Sequence, residues 1–425
     1  TAVQAAAAAA TAARGQCSTA AQRTRARPAD SAGARTEQQE AADHIFPDDW
    51  LSSVLDLFGG IGTWMALAAE NGWGKGGHAA LEMMQDLCDI YKRNHPDATV
   101  RKHVIGHDSE TKRLIDSLGR FATWLVSCPC TGHSTANAYA DSDKAKKARH
   151  LLVAVARLAI EAEHPPLCLV CENVHGMIKR SKTKEESPEF TEMKRIMTQE
   201  GGYSVETFVV DTKFMGLPTE RTRVFVIFTK PGVTTNLGEI YERTRTEKPT
   251  VLSDLAYFRG EPQEVQQNHD AARHSPDVRK SGVFEYPRRG YKRVISYDDY
   301  HGCLRTNSGY APSQRWREER TWAIGRSKGD FAPITDTVFL NVSDYKAAAG
   351  FENSFHLPRG HKQGIKAIAN GVTPCVAQMV LASISFADYH GNGKEPKTVH
   401  FAEADALTTE RTTAEMDESM RSSPW

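Results

Sequence analysis

A thiol, two carboxylates and a pair of guanidiniums stand in this chain where chemistry is easy to arrange. Cys130 follows Pro129 in the run Ser127-Cys-Pro-Cys-Thr-Gly-His-Ser134, directly after the apolar stretch Thr123 to Ser127. A cysteine there lies at the carboxyl end of a strand, where open α/β sheets bind ligands, and its thiolate would serve as a nucleophile. A small buried core thiol would read the same way. Glu172, in Glu172-Asn173-Val174, follows a second apolar stretch, Leu167 to Cys171. A carboxyl at such a sheet edge can act as an acid or a hydrogen-bond partner. Arg221 and Arg223 immediately precede the apolar run Val224 to Thr229. An arginine so placed can fix a carbonyl oxygen, although a surface basic cluster has the same look.

A second group suits a nucleotide-like ligand. Asp56-Leu-Phe58-Gly59-Gly60-Ile-Gly62 is a strand followed by a glycine turn, and glycine lets the backbone approach a ligand closely. A structural turn needs glycines too. Glu82 ends the next strand, where a carboxylate can accept hydrogen bonds from ribose hydroxyls or simply cap a helix. Cys128-x-Cys130 and Cys168-x-x-Cys171 together supply four sulfurs, so zinc has to be weighed. Residues three apart in a strand point to opposite faces, which argues against Cys168 and Cys171 as a ligand pair. No metal is expected.

The elements that must position these residues alternate in type. Apolar strand patterns cover Ser53 to Phe58, Ala79 to Glu82, Thr123 to Ser127, Leu167 to Cys171, Val205 to Val210 and Val224 to Thr229. Helical patterns cover Thr63 to Glu70, Met84 to Asn94, and a long stretch from a Ser142 cap to Glu163, closed by Pro165-Pro166. Strands alternating with helices predict an α/β sheet covered by helices on both faces. Helical patterning returns at Val342 to Ala349 and at Thr373 to Phe386.

The flanking and intervening segments differ in composition. Residues 1–48 are Ala-rich, with four arginines and no acid before Asp30. So little bulky apolar content predicts disorder; an organellar transit peptide would have a similar composition. The first residue is Thr1 and not Met, so the true N-terminus is expected to lie further upstream. A catalytic domain is expected over 50–232 and again over 337–392, with a different module inserted at 233–336 and a polar tail at 393–425. Between Glu285 and Lys328 ten Lys or Arg stand against five Asp or Glu, interleaved with tyrosine and tryptophan. The 53 basic and 53 acidic residues of the chain balance, so any polyanionic partner must be held by a local patch such as this one. No apolar run reaches the roughly 18 residues of a membrane span. The eight scattered cysteines suit free thiols in a reducing, intracellular compartment.

Taken in order, these stretches resemble the cytosine-C5 DNA methyltransferase family. Asp56 to Gly62 is similar to its first motif, Pro129-Cys130 to its Pro-Cys motif, and Glu172-Asn173-Val174 to its Glu-Asn-Val. Gly216 to Phe225 resembles its Gln-x-Arg-x-Arg motif, and Ser343 to Phe355 and Ala369 to Pro374 its last two. The resemblance covers about residues 52 to 230 and 340 to 386. Cys128 stands where the family usually has a proline, Thr131 and Thr219 where it has glutamine, His133 where it has an aromatic, and Ala369 where it has glycine.

The resemblance implies a Rossmann-like class I methyltransferase sheet with a smaller inserted target-recognition domain. It implies S-adenosyl-L-methionine as methyl donor, and double-stranded DNA as partner. Cys130 would add to C6 of a flipped-out cytosine, Glu172 would hold its N3 and N4 edge, and Arg223, with Arg221 beside it, would bind O2. Asp56, Phe58, Gly59, Gly60, Gly62, Glu82, Met83, Asp108, Asn370 and Val372 would form the cofactor site. Within it Phe58 and Met83 would meet the adenine, Glu82 the ribose and Asp108 the adenine amine. Thr131 to Asp143 would be the loop that closes over DNA. Arg288, Arg289, Lys292, Arg293, Arg315 and Arg317 would be candidates for phosphate or guanine contacts. A monomer, acting on DNA in a nucleus, nucleoid or organelle, is expected. An RNA-directed enzyme on the same scaffold usually carries a Cys-Phe-Thr signature, which this chain lacks. A catalytically silent relative would be expected to lose the cysteine or the glutamate, and both are present.

Overall fold

The computed structural model describes residues 50–133, 142–179, 185–248 and 342–386, together with four short strands between 282 and 339. Seven strands make one sheet: β1 (Val54–Leu57), β2 (His78–Glu82), β3 (Thr99–Lys102), β4 (Thr123–Val126), β5 (Cys168–Val174), β6 (Ser204–Asp211) and β7 (Thr222–Thr229). Across the sheet they run β3-β2-β1-β4-β5-β7-β6, with β7 antiparallel to both neighbours. The chain works outward from β1 to β3, then returns to place β4 on the other side of β1. That reversal opens a crevice at the carboxyl ends of β1 and β4, where sheets of this kind take ligands.

Among the described residues eight helices follow in chain order: α1 (Gln85–Asn94), α2 (Ser109–Leu118), α3 (Asp143–Glu161), α4 (Pro188–Arg195), α5 (Leu237–Thr244), α6 (Val342–Ala348), α7 (His361–Asn370) and α8 (Pro374–Ala382). Both faces of the sheet are covered, as the alternation predicted. Leu55, Leu57, Leu81, Trp124, Val126 and Leu169 pack with Ile115, Leu152, Val155 and Met193 of α2, α3 and α4. Ala80 and Val100, one residue out of phase, pack with Cys88 and Tyr91 of α1. Burial on both sides explains why the central strands read as continuous apolar runs. Ser142 caps α3, its Oγ accepting from the Ala145 N–H at 3.3 Å.

Several boundaries differ from the sequence expectation. The stretch from Thr63 to Glu70 is not an α-helix but two 3-10 turns, Thr63–Met65 and Ala69–Asn71. Gly72 and Gly74, both at positive φ, turn the chain back before a helix can propagate. Strand β5 runs three residues further than expected, because Glu172, Asn173 and Val174 pair with Phe225, Val224 and Arg223 of β7. The sequence hides that partner, and with it Glu172 moves from beyond the strand to within it. Strand β3 was not anticipated because only Val100 of its four residues is buried. Residues 363–382 are long and apolar enough by composition to cross a membrane, but they are two helices, α7 and α8, mostly buried in the protein.

Residues 234–246 stay with this body: β8 (Thr234–Thr235) pairs with a strand at Ile384–Ser385, and the Thr246 N–H donates to the Phe214 carbonyl. Between 282 and 339 four antiparallel strands form a second sheet, in the order Arg293–Ser296, Gly282–Glu285, Trp322–Gly325, Thr337–Phe339. The expected disordered segment 1–48, most of the expected closing loop (134–141) and the tail 393–425 lie outside the described residues. Arg288, Arg289, Lys292, Arg315 and Arg317 lie outside them too; Arg293 opens one strand of the second sheet.

Candidate active site

The parallel register brings the carboxyl ends of β1, β2, β4 and β5 level, since Leu57 pairs with Leu81 and Val126, and Val126 pairs with Cys171. Phe58, Glu82, Ser127 and Glu172 therefore line up along one edge of the sheet, Glu82 and Glu172 still within their strands. Phe58 has φ 63°, the one non-glycine at positive φ among the described residues. Such a conformation costs about 1–2 kcal/mol, and a bulky residue kept in it marks a constrained turn. The turn closes through the Gly62 N–H donating to the Gly59 carbonyl at 3.0 Å, with Gly60 at φ 57° and Gly62 at φ 84°.

The three glycines do not serve the same end. A Cβ at Gly59 would lie 2.8 Å from the Tyr91 ring, and one at Gly62 would lie 2.5 Å from the His95 ring. Both are small because α1 presses on the turn from behind. Gly60 meets nothing within 4 Å, and it alone leaves open space for a ligand. Glu82 holds this turn in shape: Oε2 accepts from the Gly60 N–H and Oε1 from the Met84 N–H, both at 3.0 Å. Met83 beside it is 58 % exposed, unusual for a large apolar side chain next to a core strand.

Asp56 stands apart from this edge. It is wholly buried under the turn, where Tyr91 Oη donates to Oδ2 at 3.0 Å and Oδ1 has no hydrogen-bond partner. Burial pushes its carboxyl up to about 8; the Tyr91 hydrogen bond opposes this and Glu82 adds to it. Asp108 caps α2: Oδ1 accepts from the Thr111 N–H at 2.7 Å and Oδ2 from the Thr111 hydroxyl at 3.2 Å. These bonds, the Thr111 N–H foremost, hold its carboxyl below the usual range. Asn370 ends α7, and the Val372 N–H donates to Thr63 Oγ1 at 2.9 Å. The returning segment thus lies directly against the residue that follows the glycine turn.

Cys130 begins a 3-10 turn, Cys130–Gly132, and is half-buried. Arg149 of α3 fixes that turn: Nη1 donates to the Gly132 carbonyl at 3.2 Å while Nε pairs with Glu189 at 2.9 Å. Burial pushes the Cys130 thiol up, Arg223 pulls it down, Glu172 pushes it up, and Arg221 pulls it down. The four predicted catalytic residues are therefore within electrostatic reach of one another. Cys128, by contrast, is buried in the core beside Cys171, and its carbonyl accepts from Asn173 Nδ2 at 3.2 Å. Cys171 shares that core, while Cys168 does not. Burial pushes all three thiols up.

Glu172 Oε1 lies 3.2 Å from Arg223 Nε, both side chains mostly out of water. Burial raises the Glu172 carboxyl, against the pull of Arg223, Arg221 and a hydrogen bond from Ser127. Ser127 Oγ accepts from Trp64 Nε1 at 2.8 Å, which leaves its one proton to donate to Glu172. Arg221 turns elsewhere. Its Nη1 donates to the Ala369 carbonyl at 2.7 Å and its Nη2 to the Gly371 carbonyl at 2.5 Å, so it fastens the returning segment. Ser127, Trp64, Arg149, Tyr91, Asn94 and His95 were not anticipated. For the last three a signal existed, because they share one helix face at i, i+3 and i+4.

Chemically, the arrangement offers a half-buried thiol, a carboxyl poised to exchange a proton, an arginine beside it, and an open glycine turn one strand away. The model of the C-5 cytosine-specific DNA methylase family matches residues 52–385. A Type II methyltransferase, M.MthTI of Methanothermobacter thermautotrophicus, is 25% identical over 201 residues, which are 45% of this chain and 58% of that protein. This chain thus spans less than two thirds of that relative. The fold is similar to S. pombe Dnmt2 methyltransferase (TM-score 0.54, 13% identity, 78% of this chain and 97% of that one). It is equally similar to the Entamoeba histolytica methyltransferase EhMeth (TM-score 0.53, 17% identity, 78% and 97%).

Proposed function

Because this chain belongs to the C-5 cytosine-specific DNA methylase family, we propose that it is a DNA (cytosine-5-)-methyltransferase that works through a covalent adduct between Cys130 and C6 of a flipped-out cytosine. The observation that carries this reading is the Glu172–Arg223 pair, 3.2 Å apart and electrostatically coupled to Cys130.

The coupling suits the chemistry. A negative Glu172 raises the thiol, so a protonated Glu172 favours the Cys130 thiolate, which is the nucleophile. A protonated Glu172 can then donate to N3 of the cytosine while its other oxygen accepts from N4. Arg223, held against Glu172, would take O2 as negative charge builds on the ring. Addition at C6 makes C5 nucleophilic; after transfer, loss of the C5 proton expels Cys130.

S-adenosyl-L-methionine, when bound, supplies an electrophilic methyl group. The residues fit it. Glu82 presents a carboxylate at the strand end, Gly60 leaves room for close approach, and Met83 offers an uncovered apolar surface beside them. Phe58, Gly59, Gly60, Gly62, Glu82, Met83, Asn370 and Val372 would hold the donor, with Asp56 and Asp108 supporting the turn and α2. The inserted module at 233–336 would read the target in double-stranded DNA, its basic and aromatic content suiting phosphate contact.

One experiment tests the whole reading. Labelled S-adenosylmethionine is supplied with DNA or with tRNA, to wild type and Cys130→Ala, and the label is located. Label on DNA in the wild type alone, with a covalent complex on 5-fluorocytosine DNA, is the expected result. Transfer that survives Cys130→Ala would sink the mechanism, and label on tRNA alone would sink the substrate.

A further inference from the structure

Helix α1 and His95, the residue that caps it, supply three side chains to the back of the glycine turn, and none belongs to the motifs that single out the site. The Tyr91 ring abuts Gly59, and its hydroxyl donates to Asp56. Asn94 Nδ2 donates to the Ile61 carbonyl at 2.9 Å. His95 Nε2 lies 2.8 Å from the Gly62 carbonyl; a carbonyl only accepts, so that nitrogen carries the proton. Burial holds the His95 ring below the usual histidine range, so it donates as the neutral ring. Asn94 reaches further. Its Oδ1 accepts from the His356 N–H at 2.6 Å and its Nδ2 lies 3.1 Å from the His356 carbonyl. One amide thus binds the turn and a segment 262 residues away.

We propose that Asn94 and His95 are positioning residues for methyl-donor binding, holding the Ile61 and Gly62 carbonyls on the helix side so that the turn keeps its open face at Gly60. This rests on the reading of the turn as the S-adenosylmethionine site. Glycines at φ 57° and 84° leave a turn other backbone conformations, and those must be given up when a ligand binds. Two side-chain hydrogen bonds to consecutive carbonyls order it beforehand, which lowers that cost. Asn94 is not among the buried residues of α1, which are Cys88, Ile90 and Tyr91, whereas the buried His95 ring also packs against His78, Tyr91 and Phe355. Through His356, Asn94 also ties the turn to the segment that leads into α7.

The test is calorimetric binding of S-adenosylhomocysteine to the full chain, with thermal unfolding and steady-state methylation on the same samples. Asn94→Ala and His95→Ala should weaken binding tenfold or more and raise KM for S-adenosylmethionine in parallel, with kcat within about threefold of wild type. His95→Gln, whose amide can still donate to the Gly62 carbonyl, should recover most of the affinity. If Asn94→Ala does not fold, Asn94→Asp makes the same test, keeping the acceptor for His356 and losing the donor to Ile61. Tyr203→Phe removes a 2.6 Å bond to the Pro166 carbonyl, away from the turn; it should lower Tm and leave affinity alone. Folded Asn94 and His95 variants that bind like wild type, while Phe58→Ala binds weakly, overturn the inference and spare the reading of the turn. Wild type that binds no S-adenosylhomocysteine overturns both.

Discussion

Glu172 and Arg223 face each other diagonally across two antiparallel strands, Oε1 3.2 Å from Nε, with Arg223 in register with Val174 and Glu172 with Phe225. Residues offset by two in a sheet share a face, so the backbone ladder itself brings this acid and base together. The pair is then closed in by Trp64, whose ring meets Phe225 edge-on at 6.0 Å and whose Nε1 holds Ser127.

Arg223→Ala should destabilise the protein by about 3 kcal/mol, because it leaves the Glu172 charge buried without its partner. Adding Glu172→Gln removes that charge and should recover part of the loss. Urea unfolding of the two single variants and the double variant measures the coupling, and strict additivity would show that the pair is not felt.

Glu172→Gln should speed alkylation of Cys130 several-fold near neutral pH while abolishing methyl transfer. The substitution deletes the charge that pushes the thiol up and frees Arg223 to pull it down. Mass spectrometry of the Cys130 peptide after timed iodoacetamide exposure gives the rate. An unchanged or slower rate would mean that the Glu172 charge does not raise the thiol.

Asp56 sets a pH dependence of known sign. Its folded carboxyl sits at about 8 against an ordinary 3.8, so the folded state binds the proton more tightly. That contribution is full below about pH 4 and is lost as pH rises through 8. His78, pushed down to about 3 by burial, contributes oppositely, but its stabilisation is already full above 6.5. Between pH 6.5 and 8, Tm should therefore fall in the wild type and fall less in Asp56→Asn. Equal slopes would rule Asp56 out as the source.

Gly62→Ala should destabilise more than Gly60→Ala. Both residues have positive φ, which costs an alanine about 1–2 kcal/mol. Only at Gly62 does the added methyl also strike a ring, that of His95 at 2.5 Å. Differential scanning calorimetry of the two variants compares them directly. The reverse order would place the helix–turn contact wrongly.

Cys130, Glu172 and the glycine turn were legible because each sits where a strand pattern stops, and such patterns are local. The long helix from Ser142 was legible for the same reason: cap and apolar spacing lie within its own residues. The departures at Cys128, Thr219 and Ala369 find local accommodation. Cys128 fills the core beside Cys171, Thr219 Oγ1 lies 3.4 Å from the Thr212 hydroxyl, and the Ala369 methyl joins the core cluster that holds Ile61.

The sequence by itself thus determined which residue types stand at the strand ends, and through the family they resemble, what those residues would do. Tertiary structure decided which of them meet. Asp56, read as a cofactor residue, is sealed beneath the turn, and Arg221, read beside Arg223, grips a carbonyl 150 residues away. Gly59 and Gly62 are small for a helix that begins more than twenty residues later, and Asn94 joins two segments that share no pattern. The physical reason is the same in each case. Periodicity and capping act over a few residues, whereas hydrogen bonds to main-chain carbonyls and ring-to-glycine contacts depend only on distance in space.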